Sequence, residues 1–247
     1  MGVGRFVGRR RGIAMRMLRM DGRIWAAGLV VAAVMGVTGC RTASGAAAKV
    51  PIPAAVVDAG LAATHGKATA VFAGGCFWGT QSVFERVKGV LDTTVGYSGG
   101  SADTATYEQV GTETTGHAES VKVVYDPAEI TYGQLLRIFF SVAHDPTQLN
   151  RQGPDEGTSY RSVIFYGNEE QKRLAEAYIA QLDEAHVFPR KIVTQVTPLK
   201  GFYEAEKYHQ DYALYHPDNP YILVCDKPKI EALKAQFPEL FKVYTGK

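Results

Sequence analysis

Cysteine is scarce in this 247-residue chain, and its scarcity removes two classes at once. Cys40, Cys76 and Cys225 cannot build a disulfide framework, and no Cys-x-x-Cys or His-x-x-x-His spacing offers a metal site. The apolar run from Ile24 to Val37 stops at 14 residues, short of the ~20 that span a bilayer. Basic surplus is missing from the body of the chain. Residues 1–39 carry seven Arg against one Asp, a net +6 in a chain of total +2, which leaves −4 for the rest. A nucleic-acid surface is therefore excluded. Gly99-Gly100 lacks the strand–turn–helix setting of a phosphate loop, and no internal repeat is present. With 46% apolar and 21% charged residues, the composition also excludes disordered, collagen-like and coiled-coil chains.

What is present begins with a targeting segment. Arg9, Arg10, Arg11, Arg16, Arg19 and Arg23 precede the apolar run, which ends in Thr38-Gly39-Cys40. A small-residue pair followed directly by Cys resembles a bacterial lipoprotein cleavage box, whose cysteine becomes the diacylated mature N-terminus. The alternative is a plain secretory signal or signal anchor, with Cys40 an incidental small residue. The expected organisation is a lipoprotein-type signal over 1–39, a lipid-anchored linker over 40–67 and one globular domain over 68–247. Residues 41–67 show no sustained periodicity and read as a tether. Localisation is then extracytoplasmic: periplasmic, tethered to a bacterial membrane.

From Ala68 the hydrophobic pattern predicts strands at Ala68–Ala73, Val90–Tyr97, Glu119–Tyr125, Arg161–Tyr166, Lys191–Thr197 and Tyr221–Cys225. Helices are predicted over Phe77–Lys88, from a Thr131 cap to Val142, from an Asn168/Gln171 capping box to Ala185, and over Glu204–Tyr215. Pro228 suits the first turn of a last helix. Strands and helices mix without strict alternation, which predicts an α+β sandwich in a single domain.

Gly74-Gly75-Cys76-Phe77-Trp78-Gly79 falls between the first strand and the first helix. A cysteine there faces unpaired backbone N–H groups and the positive end of the helix dipole, both of which favour thiolate. The two glycines allow a tight turn and close approach of a ligand. The aromatic pair offers a wall for a small apolar group. The same residues also fit a buried, inert cysteine beside core aromatics.

Gly75-Cys76-Phe77-Trp78-Gly79 resembles the signature of the peptide methionine sulfoxide reductase A family. Tyr107-Glu108-Gln109-Val110, Gly116-His117-Ala118-Glu119, Tyr125-Asp126-Pro127, His144-Asp145-Pro146-Thr147, the block Gln152–Ser162 and the block Phe202–Tyr212 follow in the family's order. The resemblance implies a ferredoxin-like α/β sandwich with a mixed sheet and added helices. It implies Cys76 as nucleophile on the sulfoxide sulfur, Glu119 as the acid, and Tyr107 and Tyr160 as phenols that bind the oxygen. Asp155 would help orient the substrate, and Phe77 and Trp78 would hold its methyl group. His117, His144 and His209 are read as structural hydrogen-bonding residues, because the chemistry needs an acid rather than a histidine base.

The expected activity is thiol-dependent reduction of methionine S-sulfoxide, free or in proteins, as repair of oxidised extracytoplasmic proteins. It needs no cofactor and no metal, only an external thiol or a thioredoxin-like partner, and the protein is expected to be a monomer. Two positions depart from common relatives. Gln81 stands where many carry Glu and is expected to tune the rim of the site. Cys225 is the one candidate for a resolving cysteine, yet Tyr221-Ile222-Leu223-Val224 before it reads as a buried strand, which favours a structural core cysteine. A thiol peroxidase using the same cysteine and a catalytically silent binding lipoprotein are the competing readings.

Overall fold

A βαββαβ unit sets the frame of this domain. In the computed structural model, which describes Gly2 and residues 52–246, β1 (Ala68–Gly74) leads into α1 (Phe77–Phe84) and β2 (Val90–Ser98). The short α2 (Tyr107–Val110) lies between β2 and β3 (Ala118–Tyr125). Then α3 (Tyr132–Ile138) continues into a π-helical turn, Phe139–Ala143, and the hairpin β4 (Arg151–Gln152) and β5 (Asp155–Glu156) precedes β6 (Ser162–Tyr166). The chain closes with α4 (Glu169–Glu184), β7 (Gln195–Pro198), β8 (Phe202–Glu204), α5 (Tyr212–Tyr215), a second π-helical turn (Ile222–Asp226) and α6 (Lys227–Gln236). The main sheet runs β7-β6-β1-β3-β2-β8. Its inner four strands are antiparallel in ferredoxin-like order, and β7, parallel to β6, makes the sheet mixed. The α+β class, the mixed sheet and the added helices agree with expectation.

Strand alternation divides the core. Phe72 pairs with Val121 and Ile164 in register, and all three face the helices. There Phe72 stacks on Phe84 at 5.2 Å and on Phe139 at 4.9 Å. Such buried side chains contribute roughly 1.5–3 kcal/mol each. The alternate residues Val71, Ala73, Val163 and Phe165 form a smaller cluster on the opposite face, covered by Leu199 and Phe202. Thr131 caps α3 in a full capping box with Gln134. At α4 the box is one-sided. Asn168 accepts from the Gln171 N–H, but the Gln171 carboxamide turns to Gly167 N and to Thr69 O on β1.

The structure corrects five sequence readings. Residues 52–66 are no free tether: they dock as a strap along the helices. Ile52 is fully buried in the main core. Arg137 Nε donates to Ile52 O at 2.7 Å, and the Tyr178 hydroxyl donates to Pro53 O at 2.7 Å. Asp58 accepts from Gly133 N and from the Thr131 hydroxyl at the head of α3, and His65 meets Asp126 at 2.6 Å. Periodicity is silent here because one buried side chain and scattered polar contacts, rather than a regular element, hold the strap. Second, α1 ends at Phe84 rather than Lys88, where Arg86 N→Val83 O and Val87 N→Phe84 O bonds tighten the chain toward β2.

Third, Glu204–Tyr215 is not one helix. Glu204 ends β8, Lys207–His209 is a 3₁₀ turn, and Asp211 takes a left-handed φ of 53° before the single turn of α5. Fourth, Tyr221–Cys225 is helical, Leu223 and Val224 are exposed, and Cys225 is half-buried rather than a core residue. A short apolar run does not by itself separate strand from helix. Fifth, the predicted strand over Lys191–Thr197 forms only in its C-terminal half, as β7. The leader, Cys40 and the linker up to residue 51, Gly2 apart, lie outside the described residues. Among those described, no helix is long and apolar enough to cross a membrane.

Candidate active site

The site forms where β1 ends. Gly75 takes φ +84°, and a Cβ there would collide with the side chain of Gln152. The close approach that this glycine permits is thus made by the protein's own hairpin region, not by a ligand. Cys76 follows as the N-cap of α1 and is buried, and Phe77 directs its backbone N–H to Glu119 Oε2 at 3.0 Å. Glu119 reaches this place because β3 lies beside β1 in the sheet, with Glu119 opposite Tyr97 on β2. The nucleophile candidate and the acid candidate are therefore joined through one backbone amide.

Burial controls both groups. It pushes the Glu119 carboxyl up to about 8, against the Phe77 N–H bond and helped by the charges of Asp155 and Glu113. Glu119 is therefore protonated at neutral pH. Burial also pushes the Cys76 thiol well above its ordinary range, with Glu119 and Asp226 adding to the effect. The Trp78 N–H and the Lys229 ammonium pull the other way without overcoming it. This corrects the expectation of a resting thiolate: desolvation outweighs the helix terminus.

The remaining site candidates converge on the same place. Tyr160 ends the 3₁₀ turn Thr158–Tyr160 and feels the charges of Glu119, Asp155, Cys76 and Tyr107, with burial raising its hydroxyl most. Tyr107, at the start of α2 and partly exposed, is raised by burial and then by Glu119 and Cys76. Asp155 accepts a hydrogen bond from the Tyr221 hydroxyl at 2.5 Å. Trp78 stacks on Tyr212 at 3.8 Å and 10°, and its indole N–H donates to His209 Nδ1 at 3.1 Å. Phe77 is buried between Tyr97 and His209.

The three histidines take hydrogen-bonding places. His144 bonds Phe139 O and Ser162, and His117 bonds Gly100 N and Ser101 O. His209 supports Trp78 on one side and the Tyr107 ring at 4.6 Å on the other. Burial drops His144 to about 4, so it is neutral.

Several neighbours escaped sequence reasoning. Tyr221 packs edge-on to Trp78 at 6.0 Å while bonding Asp155; the strand reading of its segment hid it. Glu206 accepts from the Tyr97 hydroxyl and from Tyr107 N, fixing α2 beside the site. Asp226 and Lys229 form a 3.2 Å ion pair against Gly79 in the first turn of α1. Gln81 is no rim residue. It is buried, accepts from Asp211 N at 2.9 Å and donates to Asp211 Oδ1 at 3.2 Å, bridging α1 to the turn before α5.

Comparison with known proteins decides the family. A model of the peptide methionine sulfoxide reductase family matches residues 68–240. The chain belongs to that family. It is 57% identical over 179 residues to peptide methionine sulfoxide reductase MsrA 2 of Mesorhizobium japonicum, covering 72% of this chain and 92% of the relative. It is 51% identical over 193 residues to MsrA 2 of Synechocystis, covering 77% and 90%. The reduced form of Mxr1 from Saccharomyces cerevisiae superposes with TM-score 0.56 at 33% identity, covering 64% of this chain and 92% of that one. Methionine sulfoxide reductase A of Corynebacterium diphtheriae gives 0.53 at 35%, covering 63% and 77%. The β1–α1 junction with Cys76 and the strand with Glu119 both lie inside the matched span of this reductase.

Proposed function

We propose that this reductase converts methionine S-sulfoxide, free or in proteins, to methionine through Cys76, with Glu119 as the acid. The observation that carries the reading is the buried, protonated Glu119 bound to the amide of Phe77, next to the thiol. A sulfoxide oxygen leaves only once protonated, and Glu119 has the proton to give at neutral pH. As that proton moves to the oxygen, the Cys76 sulfur attacks the sulfoxide sulfur and the thiol proton replenishes the carboxylate. The oxygen ends on Cys76 as sulfenic acid and the substrate leaves as the sulfide, so cysteine sulfur is oxidised by two electrons and substrate sulfur reduced by two. Two external thiols, free or from a thioredoxin-like partner, then release water and restore Cys76 while forming one disulfide. No cofactor or metal enters these steps.

Tyr107 and Tyr160 donate hydrogen bonds to the oxygen as its charge develops. Phe77 and Trp78 hold the methyl group, and Asp155, set by Tyr221, orients the rest. The leader's charge, the short apolar run and the residues before Cys40 support export and a lipid anchor at Cys40, with the domain working as a monomer outside the cytoplasm to repair oxidised proteins. The functional test uses purified residues 41–247 with dithiothreitol, each sulfoxide epimer, and hydrogen peroxide as competing oxidant. Turnover of the S epimer alone is expected; preference for peroxide would make it a peroxidase, and no turnover a binding protein. For the anchor, mass spectrometry of protein expressed in a Gram-negative host should find a diacylated N-terminal Cys40, absent in Cys40→Ala. A soluble product starting elsewhere would sink the anchor and leave the chemistry standing.

A further inference from the structure

Glu113 takes a backbone conformation that a side chain normally avoids. Its φ is +63°, in the left-handed region, and it lies in the loop that leads directly into the strand of Glu119. The conformation aims its carboxylate at one target. Oε2 accepts from the Ser159 N–H at 2.8 Å and the Thr158 hydroxyl at 2.9 Å, and Oε1 accepts from the Ser159 hydroxyl at 2.6 Å. Opposite it, Gly157 takes φ +140°, and a Cβ there would run into the Glu113 carboxylate. Two backbone positions are thus committed to the same clamp. Arg161 closes its far side, donating to Gly116 O, His117 O and Thr158 O. The clamped turn, Thr158–Tyr160, carries Tyr160 at its end.

We propose that Glu113 is a positioning residue for sulfoxide reduction: its carboxylate fixes the Thr158–Tyr160 turn to the loop before Glu119, so that the Tyr160 phenol and the acid are held in one geometry. This inference rests on the reductase reading given above. Glu113 touches no reacting atom and acts through Tyr160; its charge also adds the smallest push to the Glu119 carboxyl, an effect that Glu113→Gln removes in the same measure as Glu113→Gly. Hydrogen bonds from Ser159 and Thr158 outweigh partial burial and keep its carboxyl below the usual range, so the clamp is charged at neutral pH.

The test is a double-mutant cycle on single-turnover reduction of methionine sulfoxide by the full chain. Glu113→Gly is the informative variant, because glycine adopts φ +63° freely and the loop keeps its path. It should lower the single-turnover rate by about 10–100-fold, as displacement of a catalytic group by about 1 Å does. Glu113→Gln, which keeps an acceptor oxygen and loses the charge, should fall between it and wild type. In a Tyr160→Phe background, Glu113→Gly should cost little more, because the group it positions is already gone. An equal fold-loss in both backgrounds would assign Glu113 a merely structural role and overturn the proposal, as would a wild-type rate in Glu113→Gly. A wild-type protein that reduces no sulfoxide would instead overturn the reductase reading itself, and the proposal with it.

Discussion

Replacing Glu119 with Gln should cripple the enzyme and stabilise it. Burial holds the Glu119 carboxyl at about 8, against an ordinary value of 4.5. At pH 7 the folded protein therefore keeps a proton that the unfolded chain has released, and stability falls as pH rises between those two values. At 1.36 kcal/mol per unit, the penalty at pH 7 is about 3 kcal/mol. Glutamine is neutral at every pH, fills the same space and still accepts from the Phe77 N–H, so Glu119→Gln escapes the penalty. In a domain of this size that corresponds to a Tm higher by about 6–12 °C at pH 7. Near pH 4.5 the gain should vanish. The single-turnover rate should drop by roughly 10²–10⁴-fold, the worth of a general acid. The wild-type rate should itself decline as pH rises through about 8, where Glu119 loses its proton. The assay is thermal unfolding of both proteins from pH 4.5 to 8.5. Titrating groups that do not sense Glu119 cancel in the difference, so a wild-type-to-variant gap independent of pH would refute a protonated Glu119.

Cys76→Ser should abolish turnover with dithiothreitol and leave the unfolding temperature within a few degrees, since the two side chains differ little in volume; residual sulfoxide reduction would remove Cys76 from the mechanism. Ile52→Ala should cost about 2–5 kcal/mol in denaturant unfolding, because Ile52 is fully buried in the main core; a change below 0.5 kcal/mol would show that the strap does not contribute to folding. Cys225 is held at both ends, by Tyr221 on Asp155 and by the Asp226–Lys229 pair against Gly79. One equivalent of sulfoxide should therefore leave a dimedone-reactive Cys76 and an alkylatable Cys225, and a Cys76–Cys225 disulfide in high yield would show that these anchors release.

What the sequence disclosed depended on whether a contact leaves a periodic trace. The strands of the inner sheet were legible because Val121, Val123 and Tyr125 alternate with their neighbours, and α3 because Thr131 and Gln134 form a cap. Cys76 stood out from its place between strand and helix, whereas Glu119, Tyr107, Tyr160 and Asp155 were singled out only through motifs in family order, since nothing in local pattern places Glu119 under the amide of Phe77. The strap was invisible because its bonds run from Arg137, Tyr178 and Gln181 to backbone atoms of Ile52, Pro53 and Ala54. Tyr221 was hidden for another reason: four apolar residues after it read equally as strand and as helix, and the choice buried the wrong side chains. Glu113 carried no signal at all, because a left-handed backbone is not written in a glutamate.

The resting thiol changes how the chemistry must be ordered. A thiolate at the mouth of a helix would be the form most open to oxidation by peroxide. Here the same desolvation that keeps Glu119 protonated also keeps the Cys76 proton in place. Neither group is reactive alone. On the proposed mechanism a sulfoxide supplies the missing acceptor, because its oxygen can take the Glu119 proton, and the carboxylate left behind can then take the thiol proton. A peroxide carries no methyl group to fill the wall of Phe77 and Trp78 and so gains less from the same pocket. On the proposed mechanism, selectivity for sulfoxide over peroxide would follow from this burial together with the wall of Phe77 and Trp78. A substitution that wets the site, such as Trp78→Ala, should lower the thiol toward its ordinary range and narrow the preference for sulfoxide over peroxide.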